Sequence, residues 1–166
     1  MDRLWAPWRI GYIKSAKDDS VCIFCQIARE GEDEKRLVLH RGKYSYIIMN
    51  TYPYNNGHLM VTPYRHVPSL TDLSADELSD AIWLVSYSIK LLRHTLSPDG
   101  FNLGANLGRV AGAGIADHVH FHIVPRWKGD TNYMTTVAET RVLPEDLRET
   151  YNKLRVGVAE LGPAYK

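Results

Sequence analysis

Short apolar runs with a two-residue period, Leu37–Leu39, Tyr44–Met49 and His58–Thr62, predict three strands. Between the last two lies Asn50 to Gly57, a loop rich in turn-forming residues. The period then becomes helical. From Ser74 to about Leu96, the residues Leu78, Ile82, Val85, Ile89, Leu92 and Leu96 keep one apolar stripe, and Ser74 with Glu77 forms a capping box. Asp99-Gly100 turns the chain into a strand over Phe101–Asn106, and alternation returns in His118–Val124 after a glycine loop. A second helix is expected with Pro144 in its first turn and Leu147, Tyr151, Leu154 and Val158 inward; a short one is expected over Phe24–Glu30, ending near Gly31. The order predicts an α+β domain. Its antiparallel sheet has about five strands, with a long helix before the last two and a helix at the end. At 166 residues one domain is expected: an extended arm over 1–17, a core over 20–127 and an extension over 128–166.

The last alternating run, His118-Val119-His120-Phe121-His122-Ile123-Val124, carries the chemistry. With Val119, Phe121 and Ile123 toward a core, the three imidazoles share the opposite face, about 6 to 7 Å apart. Three groups that titrate near neutrality exceed what packing requires. They could bind a metal, act on a substrate, or form a solvated, internally hydrogen-bonded row. One ion cannot take all three, because the outer pair on an extended strand stands about 13 Å apart. One or two of them could share an ion with residues from elsewhere. The preceding segment, Gly108-Arg109-Val110-Ala111-Gly112-Ala113-Gly114-Ile115-Ala116, has almost no side-chain bulk. Alone it reads as a surface turn. Backbone N–H groups in such a loop can also cradle a phosphate, and a neutral imidazole beside it is a competent nucleophile toward phosphorus. The loop is neither a Walker loop nor a dinucleotide fingerprint, since no Lys-Ser/Thr pair follows and a strand rather than a helix comes next.

A net charge of +1 without a run of Lys or Arg excludes a large nucleic-acid surface. No apolar stretch of about 18 residues and no signal-peptide pattern occurs, so no membrane association is expected and the cytoplasm is the expected location. Both cysteines lie in one motif, Cys22-Ile23-Phe24-Cys25, which in a reducing compartment suits a metal half-site or a redox couple better than a structural disulfide.

The His-x-His-x-His run, together with Asn50, Gly57-His58, the glycine loop and Pro125-Arg126, resembles the histidine triad superfamily over residues 20–127. Within it the chain is similar to the fragile-histidine-triad-like branch. Trp127-Lys128-Gly129-Asp130-Thr131-Asn132-Tyr133-Met134 and Trp5-Ala6-Pro7-Trp8-Arg9 resemble bacterial diadenosine tetraphosphate phosphorylases. The resemblance implies that His120 attacks the α-phosphorus and carries the nucleotidyl group, that His122 bonds phosphate oxygens, and that His58 joins the same buried cluster. It further implies that Asn50 binds the ribose hydroxyls, that Asn106 contacts the substrate near the α-phosphate, and that the backbone of Gly112, Ala113, Gly114, Ile115 and Ala116 holds the phosphates. Phe24, Ile48 and Met49 are candidates for the base pocket, and Trp127, Asn132 and Tyr133 for the distal end of a longer substrate.

The same resemblance implies a structural zinc held by Cys22, Cys25, His66 and His118, no organic cofactor, and a homodimer or larger homo-oligomer whose sheets join across a two-fold axis. His40 and His94 match no partner and are expected at the surface. One departure concerns the leaving group. Where many members carry Gly-Gln-Ser/Thr, this chain has Gly114-Ile115-Ala116, with no hydroxyl to serve a poor leaving group. The implied activity is therefore cleavage of diadenosine polyphosphates. A nucleoside phosphoramidase and a nucleotide-binding regulatory module are the alternatives.

Overall fold

The computed structural model describes residues 21–130 and 145–162. In chain order the elements are α1 (Ile23–Glu30), α2 (Asp33–Arg36), β1 (Val38–Arg41), β2 (Ser45–Met49), β3 (Leu59–Pro63), α3 (Ala75–Leu96), β4 (Gly100–Gly104), β5 (Phe121–Arg126) and α4 (Leu147–Leu161). The five strands form one sheet in the order β1-β2-β3-β5-β4, and every pairing is antiparallel. The α+β architecture expected from the sequence is therefore present, with α3 inserted before the last two strands.

Every residue of β2 and β3 is buried, so alternation there sorts residues between two cores and not between core and water. On one face Ile47, Met49, Leu59, Val61, Phe121 and Ile123 pack with Leu84, Leu91 and Leu92 of α3 and Tyr151 and Leu154 of α4. On the other, Phe24 and Ile27 of α1 cover Val38, Tyr46, Ile48 and Met60. Met49 thus belongs to the helix-side core and is separated by the sheet from Phe24 and Ile48, which corrects its place in a base pocket.

The capping box of Ser74 and Glu77 forms as expected. The stripe of α3 does not fully match its sequence pattern: Ile82 is 49% exposed, while Ala81, Leu84, Ser88 and Leu91 turn inward. Buried Asp80 explains part of that rotation, because its carboxylate accepts the backbone N–H groups of Lys43 and Tyr44 and draws the helix onto the β1–β2 hairpin. His40 is not a surface residue. It is half-buried against the Tyr87 ring, 5.7 Å away, where α3 covers this end of the sheet, and burial lowers its pKa. His94 is exposed as expected and pairs with Glu160.

The C-terminal helix is capped by Asp146, whose side chain accepts from the N–H groups of Arg148 and Glu149. It therefore starts later than a first turn at Pro144 requires; Pro144 itself, the arm over 1–17, Asn132 and Tyr133 lie outside the described residues. The histidine strand also starts later than its alternation suggests. Its ladder begins at Phe121, and the segment before it is anchored by Val119 N–H donating to Val67 at 2.7 Å. Pro125 sits in β5 beyond the last β3 pairing, Leu59 with Ile123, so its missing N–H costs no bond to β3.

Candidate active site and metal cluster

Pairing of Met60 with His122 sets β3 beside β5 and brings His58, at the foot of β3, onto the triad. His120 is almost fully buried and its Nδ1 donates to the His118 carbonyl at 2.9 Å. The proton is thereby committed to Nδ1, and Nε2 keeps its lone pair. Burial lowers the pKa of His120, against the opposing pull of that carbonyl, so the ring is neutral at pH 7. Phe24 packs on this ring at 5.0 Å and on His118 at 5.4 Å.

His122 stands edge-on to His120, with ring centroids 4.8 Å apart. Its Nδ1 lies 3.0 Å from His58 Nε2. The direction of that bond follows from the far side of His58, where Nδ1 accepts the Tyr54 backbone N–H at 3.1 Å. An accepting Nδ1 leaves the His58 proton on Nε2, which donates to His122 Nδ1; His122 then carries its own proton on Nε2. The cluster presents one lone pair, on His120, and one N–H donor, on His122. Burial and the neighbouring imidazoles depress the pKa of His58 to about 3, while burial and His120 depress that of His122 to about 4.

Asn50 closes its own turn, its Oδ1 accepting from Tyr52 N–H at 2.9 Å, and its Nδ2 lies 3.3 Å from His58 Nδ1. In the glycine loop, Gly108 and Gly112 take φ of 85° and 88°, values that a side chain would strain. The N–H groups of Gly112 and Ala113 bond the carbonyls of Arg109 and Gly108. Asn106 Nδ2 is the nearest atom to the open Cβ position of Gly112, at 3.9 Å. Ile115 packs beside the Phe24 cluster, and Trp127 is half-buried.

His118 faces a different group. Its Nε2 donates to the Pro63 carbonyl at 2.9 Å, which turns Nδ1 toward Cys22, Cys25 and His66. Nδ1 stands 3.3 Å from Cys22 Sγ, 3.5 Å from Cys25 Sγ and 3.3 Å from His66 Nδ1, and Cys25 Sγ stands 3.4 Å from His66 Nδ1. Ligands of a tetrahedral zinc at ordinary bond lengths lie about 3.3 to 3.8 Å from one another. These four distances fall within that range, and all four ligand atoms lie within 4.8 Å of one another. The residues could hold such an ion, with the Pro63 carbonyl as the outer hydrogen bond that would fix a ligating imidazole.

Three contributors escaped the sequence reading: Tyr54, Asn55 and Asp130. The Tyr54 ring lies tilted 4.8 Å from His58 and stacks 5.7 Å from His122. Asn55 donates to both the Pro125 carbonyl and Asp130. The only sequence signal for the first two is their place in the turn that delivers His58. Asp130 is marked only by its place in the Trp127–Met134 stretch, where nothing singles it out.

A family model described as HIT domain matches residues 30–129, more than half of the sequence. The chain belongs to the HIT-domain family. Among relatives of this HIT domain, an AP-4-A phosphorylase of Mycobacterium tuberculosis is 40% identical over 158 residues, covering 90% of this chain and 80% of that protein. An asymmetrical bis(5'-nucleosyl)-tetraphosphatase of Schizosaccharomyces pombe is 38% identical over 93 residues, covering 56% of this chain and 50% of that protein. The crystal structure of a Zn-bound histidine triad family protein from Mycobacterium smegmatis superimposes with a TM-score of 0.68 at 27% identity, covering 84% of this chain and 94% of the other.

Proposed function

We propose that this HIT-domain chain cleaves diadenosine polyphosphates, with His120 as the nucleophile. The observation that carries this reading is the commitment of His120 Nδ1 to the His118 carbonyl, which leaves Nε2 as a lone pair 4.8 Å, ring to ring, from the His122 donor. Nε2 attacks the α-phosphorus. A P–N bond forms, the P–O bond to the remaining nucleotide breaks, and that nucleotide leaves with the electron pair. An oxygen of phosphate or water then attacks the same phosphorus and displaces the imidazole. His122 Nε2–H and the loop backbone stabilise the charge that develops on the phosphoryl oxygens.

Asn50 binds the ribose, Asn106 the region of the α-phosphate, Gly112 to Ala116 the phosphates and Trp127 the distal end. Polyphosphate leaves without a proton, which agrees with Gly114-Ile115-Ala116 offering no hydroxyl. Cys22, Cys25, His66 and His118 hold a structural zinc, supported by their mutual distances. The exposed edge strand β4, with Leu103 53% exposed, supports a homodimer joined across that edge. Among the described residues no helix is long and apolar enough to cross a membrane.

Incubation with diadenosine tetraphosphate, with and without phosphate, tests the function. ADP plus ATP formed only with phosphate identifies a phosphorylase, and AMP plus ATP without it a hydrolase. No cleavage of any dinucleotide by wild-type protein rejects the reading.

A further inference from the structure

We propose that Asn55 and Asp130 are a positioning pair that fixes the tautomer of His58 and thereby aims the His122 donor. The inference deepens the proposed reading of the histidine cluster and rests on it for its catalytic consequence; the tautomer itself does not depend on any activity.

Asn55 is buried, and its amide nitrogen spends both hydrogens on the end of β5: one on the Pro125 carbonyl at 3.0 Å, one on Asp130 Oδ2 at 2.9 Å. Asp130 is held in turn by the Arg126 guanidinium at 2.5 and 2.9 Å and by Trp127 N–H at 3.3 Å. Arg126 is itself tied to Asn102 of β4 at 2.8 Å. The turn is closed from within by His58 N–H donating to the Asn55 carbonyl at 3.2 Å. On its other side Gly57 leaves no room: a Cβ there would meet Leu96 Cδ1 at 2.5 Å. Clamped on both sides, the turn holds the Tyr54 N–H on His58 Nδ1.

That bond, with the Asn50 amide nitrogen 3.3 Å from the same Nδ1 and itself held in the turn by Tyr52 N–H on its oxygen, sets the direction of the hydrogen-bond chain. With Tyr54 N–H in place, protons run from Tyr54 to His58 to His122 and outward, and His122 meets a phosphate oxygen with an N–H. If the turn drifts, Tyr54 N–H and the Asn50 amide that is tied to Tyr52 in the same turn both leave Nδ1, and His58 is free to carry its proton there. His122 must then donate from Nδ1 to His58 Nε2, and its outward nitrogen becomes a lone pair that repels a phosphate oxygen. The rings would keep their places while the donor was lost. Loss of a donor that matters most in the transition state lowers kcat more than it raises KM.

The test is nitrogen NMR of the histidine rings in resting wild-type protein and in Asn55→Ala, Asp130→Ala and Asp130→Asn, with kcat and KM measured in parallel. Wild-type His58 should carry its proton on Nε2. Both alanine variants should show mixed His58 tautomers and a kcat about 10 to 100 times lower, with KM changed less than about threefold. Asp130→Asn keeps an oxygen for Asn55 and should restore the wild-type tautomer and most of kcat. A proton on Nδ1 of His58 in wild-type protein overturns the proposal even if every variant fails to fold. So does an unchanged tautomer in the folded alanine variants. If wild-type protein cleaves no dinucleotide, the enzymatic reading fails while the ring spectra still decide the tautomer.

Discussion

His118 and His120 are two residues apart, yet the backbone uses opposite nitrogens of their rings. At His118 the Pro63 carbonyl takes Nε2 and leaves Nδ1 to the cysteines and His66; at His120 the His118 carbonyl takes Nδ1 and leaves Nε2 beside His122. The two imidazoles are chemically identical, and one carbonyl apiece leaves the first free to act as a ligand and the second as the proposed nucleophile. The division of labour along the triad is therefore written in the main chain. It also separates the candidate metal cluster from the proposed reaction centre, since each ring's free nitrogen opens on a different group of residues.

The sharpest way to break this comparison is at His120. The variant His120→Ala should stay folded and bind nucleotide while losing turnover by on the order of 10⁴-fold or more; activity within tenfold of wild type would sink the nucleophile assignment. On the metal side the expected effect is on stability. Protein purified without chelator should hold about one zinc per chain, and Cys25→Ser should lose it and melt about 10 °C lower, roughly 3 kcal/mol for a chain of this size. Its turnover should fall less than tenfold. Turnover collapsing as in His120→Ala would mean that the two rings are not separable.

Acid should expose the rings of His58 and His122 before they can be charged in place. His58 and His122 titrate at about 3 and about 4 in the folded protein, against an ordinary value of 6.5. The unfolded chain therefore binds more protons in this window, and stability is lost as pH falls from about 6.5 toward about 3, by at most about 1.4 kcal/mol per pH unit for each ring. Denaturant melts at several pH values check this, and a flat profile over pH 4 to 6 would show that the rings are not buried neutral. The smallest effect concerns the peptide between the two histidines. Thr62, fully buried, donates to the Val119 carbonyl at 3.1 Å, and Thr62→Val should cost about 1 kcal/mol. No change in stability would mean that this peptide is held by Val119 N–H alone.

The share of this that was legible in the sequence follows the range of the forces involved. A two-residue period puts His118, His120 and His122 on one side of the chain whatever surrounds them, and the Ser74–Glu77 cap is equally local. Family resemblance then separated the three roles and completed the Cys2His2 set, which the alternation alone left open. The phase of α3 at Ile82 was not legible, because Asp80 is buried by a contact with Lys43 and Tyr44 on a distant hairpin. Met49 alternates correctly, but two covered faces make alternation uninformative about which core a residue joins. Asn55 and Asp130 lay furthest from view. Their bond spans 75 positions and joins two turns that carry no periodic signal.

Phe24 stands between Cys22 and Cys25 in the chain and rests on the rings of both His118 and His120. The ceiling over the proposed nucleophile and half of the candidate metal anchor are thus one stretch of four residues. In evolutionary terms they are inherited as a unit. A lineage that deletes this stretch gives up anchor and ceiling together, whereas one that exchanges only the cysteines keeps the ceiling and must find another way to hold it down.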